Sequence, residues 1–595
     1  MSRHLIRLAF TTRVTPMPAA QRRYRLGLLL IWFGAIGLGL FLNRQSIADF
    51  RFWDPDDVMR LLEVRDWLGG QTWFDVTQYR MNRPAGLSMH WSRLVDVPLA
   101  GLILLFQPIF GQRAAETIAA TAVPLATLGA TMALTGGIAR RLHGIEAGLL
   151  AAALCLVSIG TWYAMQPMRI DHHGWQIVAG LGMALALVSR PDRRGAALAG
   201  LCAALWTHVS LEGLAFTMGA AGWLAVAWIC RAERRTELPS FLAALFAASA
   251  ALHLATRGTF ILQATFCDQI SPVHISTFGL AALVSIGLTA AYPRSRPGRT
   301  VAIALLAISC AGLYAFWAPQ CRAGPFATLG PLGYNLWYRS VHEGIPLWQA
   351  GSDTLLLWGI FPWLGFVGAT ATWLRSGNRG WPALTYCILL GWANLIALLV
   401  TRAGAFANLL ALPGAACLVM LAFERSEGWS MPARILSRAL ALILLSPIGT
   451  EFLPPMIKAD NSPPPGIRID PRCGLIDTLR PLDRFARTTV IGPLELGPNL
   501  VAATHHDAVT GPYHRDPSAL EDVLRFFIAS DPRNIAVRRH ATLLAFCPGR
   551  NEMSAMAKFA PGGLAAQILN GRPPNWLHPV FLPGTAGLRV YRLSP

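Results

Sequence analysis

The sequence predicts an α-helical polytopic membrane protein of about 13 transmembrane helices, followed by a small mixed α/β domain outside the cytoplasm. Three observations predict it. Of 595 residues, 53% are hydrophobic and only 14% charged, where soluble chains carry about a quarter charged residues. The apolar residues fall into blocks of roughly 20, the length at which a helix crosses a hydrocarbon core. Basic clusters sit at the ends of these blocks, and every short basic loop can be placed on one side of the membrane.

The first block, 26–42, follows Arg22, Arg23 and Arg25 and has no small-residue cleavage site before Asn43. It reads as a first span with a cytoplasmic N-terminus at 1–25, so the long loop 43–114 emerges outside. The block at 97–110 suits an interfacial or re-entrant helix, because a crossing there would put Arg140 and Arg141 outside. The remaining spans then read 115–138, 147–165, 175–189, 195–209, 212–230, 240–256, 277–292, 300–317, 353–373, 381–401, 404–422 and 435–452. Their cytoplasmic connections hold Arg140/Arg141, Arg190/Arg193/Arg194, Arg231/Arg234/Arg235, Arg294/Arg296/Arg299, Arg375/Arg379 and Arg425/Arg434/Arg438. A second large outer loop covers 318–352 and closes a membrane domain at 26–453.

Pro463, Pro464 and Pro465 mark a linker at 454–465, and 466–595 reads as a soluble periplasmic domain. Strands are expected at 488–491 and 588–592, and a helix at 517–528 after Asp516. Six of the ten cysteines lie in or beside apolar blocks and need only be small packing residues. Cys267, Cys321, Cys473 and Cys547 lie in outer segments, where disulfides are possible but spacing does not set their pairing. The net charge of +19 is accounted for by the span ends. No basic patch interleaves with stacking aromatics, which excludes nucleic acid as a partner.

Charged side chains at a membrane boundary are costly and usually functional, and several share the outer one. The first loop carries Asp54-Pro55-Asp56-Asp57; the loop after the third span carries Arg169-Ile170-Asp171-His172-His173; the second large loop carries Ser340-Val341-His342-Glu343. His208 and Glu212 flank a turn between the fifth and sixth spans, and Arg402 ends the eleventh. Carboxylates and a histidine from separate loops can hold a hard divalent cation such as Mg²⁺ or Mn²⁺. That ion and an arginine fork together suit transfer from a phosphate-bearing lipid. Each motif alone is also compatible with a helix cap, a polar loop or a snorkelling arginine; their joint placement is the signal. Further polar strings, His90-Trp91-Ser92-Arg93 and His505-His506 through His514, can contact donor or acceptor.

In this order the motifs resemble those of the catalytic subunit of oligosaccharyltransferases, within the C-type membrane glycosyltransferases. The resemblance covers about residues 27–420. It implies that Asp54, Asp171, His173 and Glu343 surround the metal. It also implies that Glu343 acts on the acceptor or the metal, and that Arg402, with Arg169 beside it, holds the lipid phosphate. The implied activity is metal-dependent transfer of a sugar or oligosaccharide from a polyprenyl phosphate or diphosphate donor to a periplasmic acceptor, in a bacterial inner membrane. The family's Trp-Trp-Asp motif, which reads a peptide sequon, is missing, since Trp576 is the only tryptophan after residue 452. The acceptor is therefore open between protein, lipid and cell-envelope glycan. A flippase for lipid-linked glycans is the reading from another class, set against it by the scarcity of charge at mid-span.

Overall fold

Backbone groups in lipid must be satisfied within the segment, which leaves the helix as the solution for each apolar block. The structure, a computed structural model describing residues 18–258, 265–326, 328–377, 380–451 and 470–594, is a helix bundle topped by one mixed sheet. The expected linker at 454–465 and most of the N-terminal segment 1–25 lie outside the described residues. Among those residues ten helices are long and apolar enough to cross a membrane, or eleven if one bent pair counts as a span. That pair, Ile145–Leu154 continuing to Val157 and then Ile159–Met165, breaks by 66°. Three other expected spans are shorter helices: His173–Ser189 and Arg193–Val209 with 17 residues each, and Met431–Leu444 with 14.

The helix Asp96–Phe110, with its lead-in from Arg93, is one of the ten by length and composition. Its ends nevertheless lie on one side. Asp96 pairs with Arg60 of the first loop, while Arg113, just past the turn at Gly111, pairs with Asp477 of the C-terminal domain. Gly111 makes this turn at φ 79°, a conformation that favours glycine. Both of its ends thus meet segments gathered against the C-terminal domain.

Contacts also sort the loops into two ends. At one end Arg140 meets Gln21, His143 and Arg375 share Glu424, and Arg231 and Arg234 stack on Trp381. The acidic motifs all lie at the other end, against the C-terminal domain. A buried ion network anchors that end. Arg60, fully buried, bonds Glu63 and Asp96 at 2.9 Å each, Arg93 reaches Asp96 at 3.2 Å, and the Arg60 guanidinium lies 4.6 Å from the Trp91 ring centre.

The first loop forms a short hairpin, β1 (Thr77–Gln78) with β2 (Leu87–Ser88), that docks on the C-terminal domain. Met81 bridges to Ala508, and Arg83 pairs with Asp507 at 2.7 Å. The domain's sheet runs β4-β3-β5-β7-β6, from β3 (Thr489–Ile491), β4 (Asp507–Ala508), β5 (Ala541–Phe546), β6 (Leu577–Val580) and β7 (Arg589–Leu593). β3 is parallel to β4 and β5; β7 is antiparallel to β5 and β6. The amphipathic helix Pro517–Ile528 starts where Asp516 caps Ala519 N, and packs Leu520, Val523, Leu524 and Phe527 into the core. Two disulfides form, Cys267–Cys321 between the segments that follow the helices Glu237–Arg257 and Arg296–Trp317, and Cys473–Cys547 within the C-terminal domain.

Candidate active site

Asp54 caps the helix Pro55–Leu68, its Oδ1 accepting from Asp56 N at 2.9 Å. Asp followed by Pro is a favoured helix start, and it sets the first turn against the loop before His173. Asp57 is wholly buried there. Its Oδ1 accepts from the backbone N–H of Ile170 and Asp171 at 2.8 and 2.9 Å, and its Oδ2 pairs with Arg169 at 3.0 Å. Burial pushes the Asp57 carboxyl up to about 7, against the pull of Arg169. Asp57 thus clamps the second motif to the first.

Arg169, expected beside a donor phosphate, instead lies inside the carboxylates. It is 4% exposed, 3.3 Å from Asp54 and 3.0 Å from Asp57, with Asp171 at 3.9 Å. Its charge is spent holding the acidic motifs together. Asp171 follows, flanked by two imidazoles. Nδ1 of His172 touches Asp171 Oδ1, and Nε2 of His173 is 3.2 Å from Oδ2. Neither contact has hydrogen-bond geometry, so Asp171 Oδ2 and His172 Nδ1 are buried without a hydrogen-bond partner among the described residues. Burial opposes ionisation of Asp171, but His172 and His173 outweigh it and hold its carboxyl well below the usual range. One ligand atom from each of the three lies within 4.8 Å of the others.

Glu343 and Arg402 sit on two single-turn helices, His342–Gly344 and Thr401–Ala403. Thr401 joins the turns by donating to Ile345 O from its N–H at 3.0 Å and its hydroxyl at 2.8 Å. Arg402 Nε and Nη2 both donate to Glu343 Oε2, at 3.0 and 2.7 Å, while Nη1 pairs with Glu212. The Tyr163 hydroxyl donates to Glu343 Oε1, and Gln176 donates to Glu212 at 3.3 Å. Burial opposes the charge on Glu343, yet Arg402 and His173 bring its carboxyl down to about 2.

Three cavities converge here. The largest, of about 510 Å³, is lined by Asp56, His172, Glu343 and Arg402 together with His90, Asp268 and His514. A second, of about 250 Å³, is an apolar groove between helices, walled by Trp206, Leu211, Phe216, Ile396 and Phe406 and ending at His173, Glu212 and Arg402. A third, of about 370 Å³, runs from Asp54, Asp56, Glu343 and Arg402 to Glu495 and Glu552 of the C-terminal domain. The first two share Leu211, Glu212, Val400 and Arg402, and the residues after Asp171 line both, His172 the first and His173 the second.

Asp56 is the residue whose position differs most from a simple cap. It lines two of the three cavities, and its carboxylate makes no hydrogen bond or ion pair with any described residue. Burial, then Asp54 and Asp171, push its carboxyl well above the usual range. Other expected contacts lie elsewhere. His208 bonds Thr256 at 2.6 Å, and Arg93 belongs to the buried ion network. His505 and His506 pack against Phe485, Leu482 and Asp483 of the C-terminal domain. Tyr163, Gln176, Asp268, Glu495 and Glu552 join the site region without any sequence signal, since each is an isolated polar residue outside a motif.

Glu552 accepts from the backbone N–H of Leu494 and Glu495 at 2.7 and 3.2 Å. Burial, with Glu495 nearby, raises its carboxyl to about 8. A raised carboxyl binds a proton in the folded state that the unfolded chain releases, so its contribution is complete below the unfolded value and disappears as pH rises through about 8. Glu552→Gln is expected to flatten the fall in thermal stability of the full chain between pH 5 and 8. An unchanged slope in scanning calorimetry would refute this.

No protein-family model matches the sequence, and no curated protein matches it. The fold does match solved structures. The archaeal oligosaccharyltransferase AglB from Archaeoglobus fulgidus, in complex with an inhibitory peptide and a dolichol-phosphate, aligns at TM-score 0.67 and 14% identity, over 95% of this chain and 74% of that one. The A. fulgidus enzyme tethered to an acceptor peptide containing an NVT sequon gives TM-score 0.64 and 15% identity, over 96% and 74%. Its complex with Zn and sulfate gives 0.60 and 16%, over 90% and 70%. The chain therefore has the oligosaccharyltransferase fold, as its motifs led us to expect.

Proposed function

We propose that this chain is a glycosyltransferase. In this reading it moves a sugar or oligosaccharide from a polyprenyl phosphate or diphosphate to a periplasmic acceptor, from a bacterial inner membrane with its C-terminal domain outside. One observation carries the reading: Asp56, unpaired among the described residues, the Asp171-His172-His173 cluster and the Glu343–Arg402 pair meet where an apolar groove adjoins a large cavity that ionisable side chains line. The groove suits a polyprenyl tail and the cavity a glycan. In the archaeal relative of the same fold a dolichol-phosphate is bound.

The residues fit a divalent cation, Mg²⁺ or Mn²⁺. Among the described residues Asp171 Oδ2 and His172 Nδ1 are buried without hydrogen-bond partners, and Asp56 offers an unpaired carboxylate nearby. Asp171, the His172 and His173 imidazoles, Asp54 or Asp56, and Glu343 would hold it. Such an ion supplies positive charge opposite the phosphate leaving group. Arg402 presents the remaining guanidinium N–H groups to phosphate oxygens, while Glu343 and Glu212 hold the fork in place. Asp56 lines the cavity, and in this reading its carboxylate oxygen accepts the acceptor's proton.

Purified protein in lipid nanodiscs, given a labelled polyprenyl-linked sugar and an envelope extract, tests the proposal. Label must leave the lipid and appear covalently on an acceptor; label that stays on the lipid refutes transfer. Mass spectrometry of the labelled product separates a protein acceptor from a lipid or envelope glycan. Arg402→Lys keeps the charge but loses the fork. Its KM for the donor is expected to rise about tenfold, the worth of one hydrogen bond to a charged group, with kcat changed less.

A further inference from the structure

We infer that His90, Asp268 and His514 form a second divalent-cation site, in the wall of the large cavity. The three come from separate parts of the chain: the first loop, the loop after helix Glu237–Arg257, and the C-terminal domain. One ligand atom of each lies within 4.8 Å of the other two. Asp268 Oδ2 is 2.9 Å from His514 Nε2, and the His90 and His514 ring centres are 5.1 Å apart. All three line the cavity that also contains Asp56, His172, Glu343 and Arg402.

The site is supported from behind in the way metal ligands usually are. Arg515 forks onto Asp268, Nε to Oδ2 and Nη2 to Oδ1 at 2.7 Å each, which fixes the plane of the carboxylate. Phe326 lies edge-on to the His514 ring at 4.8 Å, and the Cys267–Cys321 bond holds the residue next to Asp268. His514, Asp268 and Arg515 would already satisfy one another as a hydrogen-bonded group. His90 is surplus to that group, because its imidazole makes no hydrogen bond with any described residue while lying against His514.

A second cluster gives the contrast. Asp483, His505 and His506 come equally close, but their ring nitrogens are all engaged. His505 Nδ1 is on Asp483 and Nε2 on Phe485 O; His506 Nε2 is on Leu482 O and its Nδ1 accepts from Thr488 N. That cluster has no imidazole lone pair to give. At His90–Asp268–His514 one imidazole is free, and a cation can replace the proton between His514 Nε2 and Asp268 Oδ2. Two imidazoles and one carboxylate select Zn²⁺ over Mg²⁺, and three protein ligands leave a position open for an anionic oxygen entering the cavity. Arg515 offsets part of the Asp268 charge, which again favours an ion held mainly through nitrogen.

The inference does not depend on sugar transfer. The full chain in detergent, stripped with chelator and dialysed against Zn²⁺, is expected to bind one more equivalent by elemental analysis than a His90→Ala/His514→Ala double variant. Asp171→Asn, altered at the other cluster, should keep that equivalent. With Co²⁺ as probe, the wild-type spectrum should contain a nitrogen-ligand band that the double variant lacks. Since His514 also joins the Asp268 ion pair, His90→Phe provides a variant that breaks no hydrogen bond. Its Zn²⁺ affinity at this site should fall at least about 100-fold, more than the loss of an outer partner of a metal site costs. Equal Zn²⁺ uptake by wild type and the double variant, or an unchanged affinity in His90→Phe, overturns the site. Loss of transfer in Asp171→Asn with this equivalent retained separates it from the reading of the first cluster.

Discussion

Asp171→Asn is expected to lower kcat for transfer at least about 100-fold, more than the loss of an outer partner of a metal site. The substitution keeps shape and removes the charge on which both imidazoles converge. The carboxylate is held ionised by His172 and His173 against the cost of burial, so its charge is present across the working pH range. Asp171 also precedes His172, which lines the large cavity, and His173, which ends the apolar groove. The measurement is a single-turnover assay with labelled lipid-linked sugar, together with the melting temperature of the same preparation. Folded variant protein with wild-type turnover would remove Asp171 from the chemistry.

The second large effect is on stability. Arg60→Ala is expected to cost about 3–5 kcal/mol, because Glu63 and Asp96 are left buried with one fewer cation between them. The stacking on Trp91 is lost at the same time, and Trp91 in turn lies 5.8 Å from His172. Burial, opposed by Arg60, already raises the Glu63 carboxyl to about 7. Without Arg60 it takes up a proton more readily, so the deficit should be larger at pH 8 than at pH 5. Replacing both partners with apolar residues, as Arg60→Met with Glu63→Leu, should recover part of the loss. Denaturant unfolding followed by helical signal measures this; a cost below about 1 kcal/mol would mean the network is not desolvated.

Much of the architecture was legible because the bilayer imposes strong, local rules. Block length and the side of the arginines sorted the loops into two ends, and the contacts of Arg140, Arg375 and Arg234 occupy one end while Asp56, Asp171 and Glu343 occupy the other. The strands at 489–491 and 589–593 and the helix Pro517–Ile528 followed from period and a cap. What was not legible depended on partners far apart in the chain. Arg169 carried the mark of a phosphate ligand, yet Asp54 and Asp57, more than a hundred residues earlier, enclose it. Asp268 had no motif at all until His514 and Arg515 arrived beside it.

By itself the sequence determined that the chain is membrane-embedded, how its helices are ordered, and that its ionisable motifs share one boundary. Each of these follows from transfer energies that depend on residue type and chain length alone. The tertiary structure alone decided which charge neutralises which. It placed Asp56 in the cavity with no partner among the described residues, used Asp57 as a clamp, closed Arg402 between Glu343 and Glu212, and paired Cys267 with Cys321 and Cys473 with Cys547. Electrostatic and covalent partners act over a few ångströms of space, and sequence separation carries no information about that distance until the chain has folded.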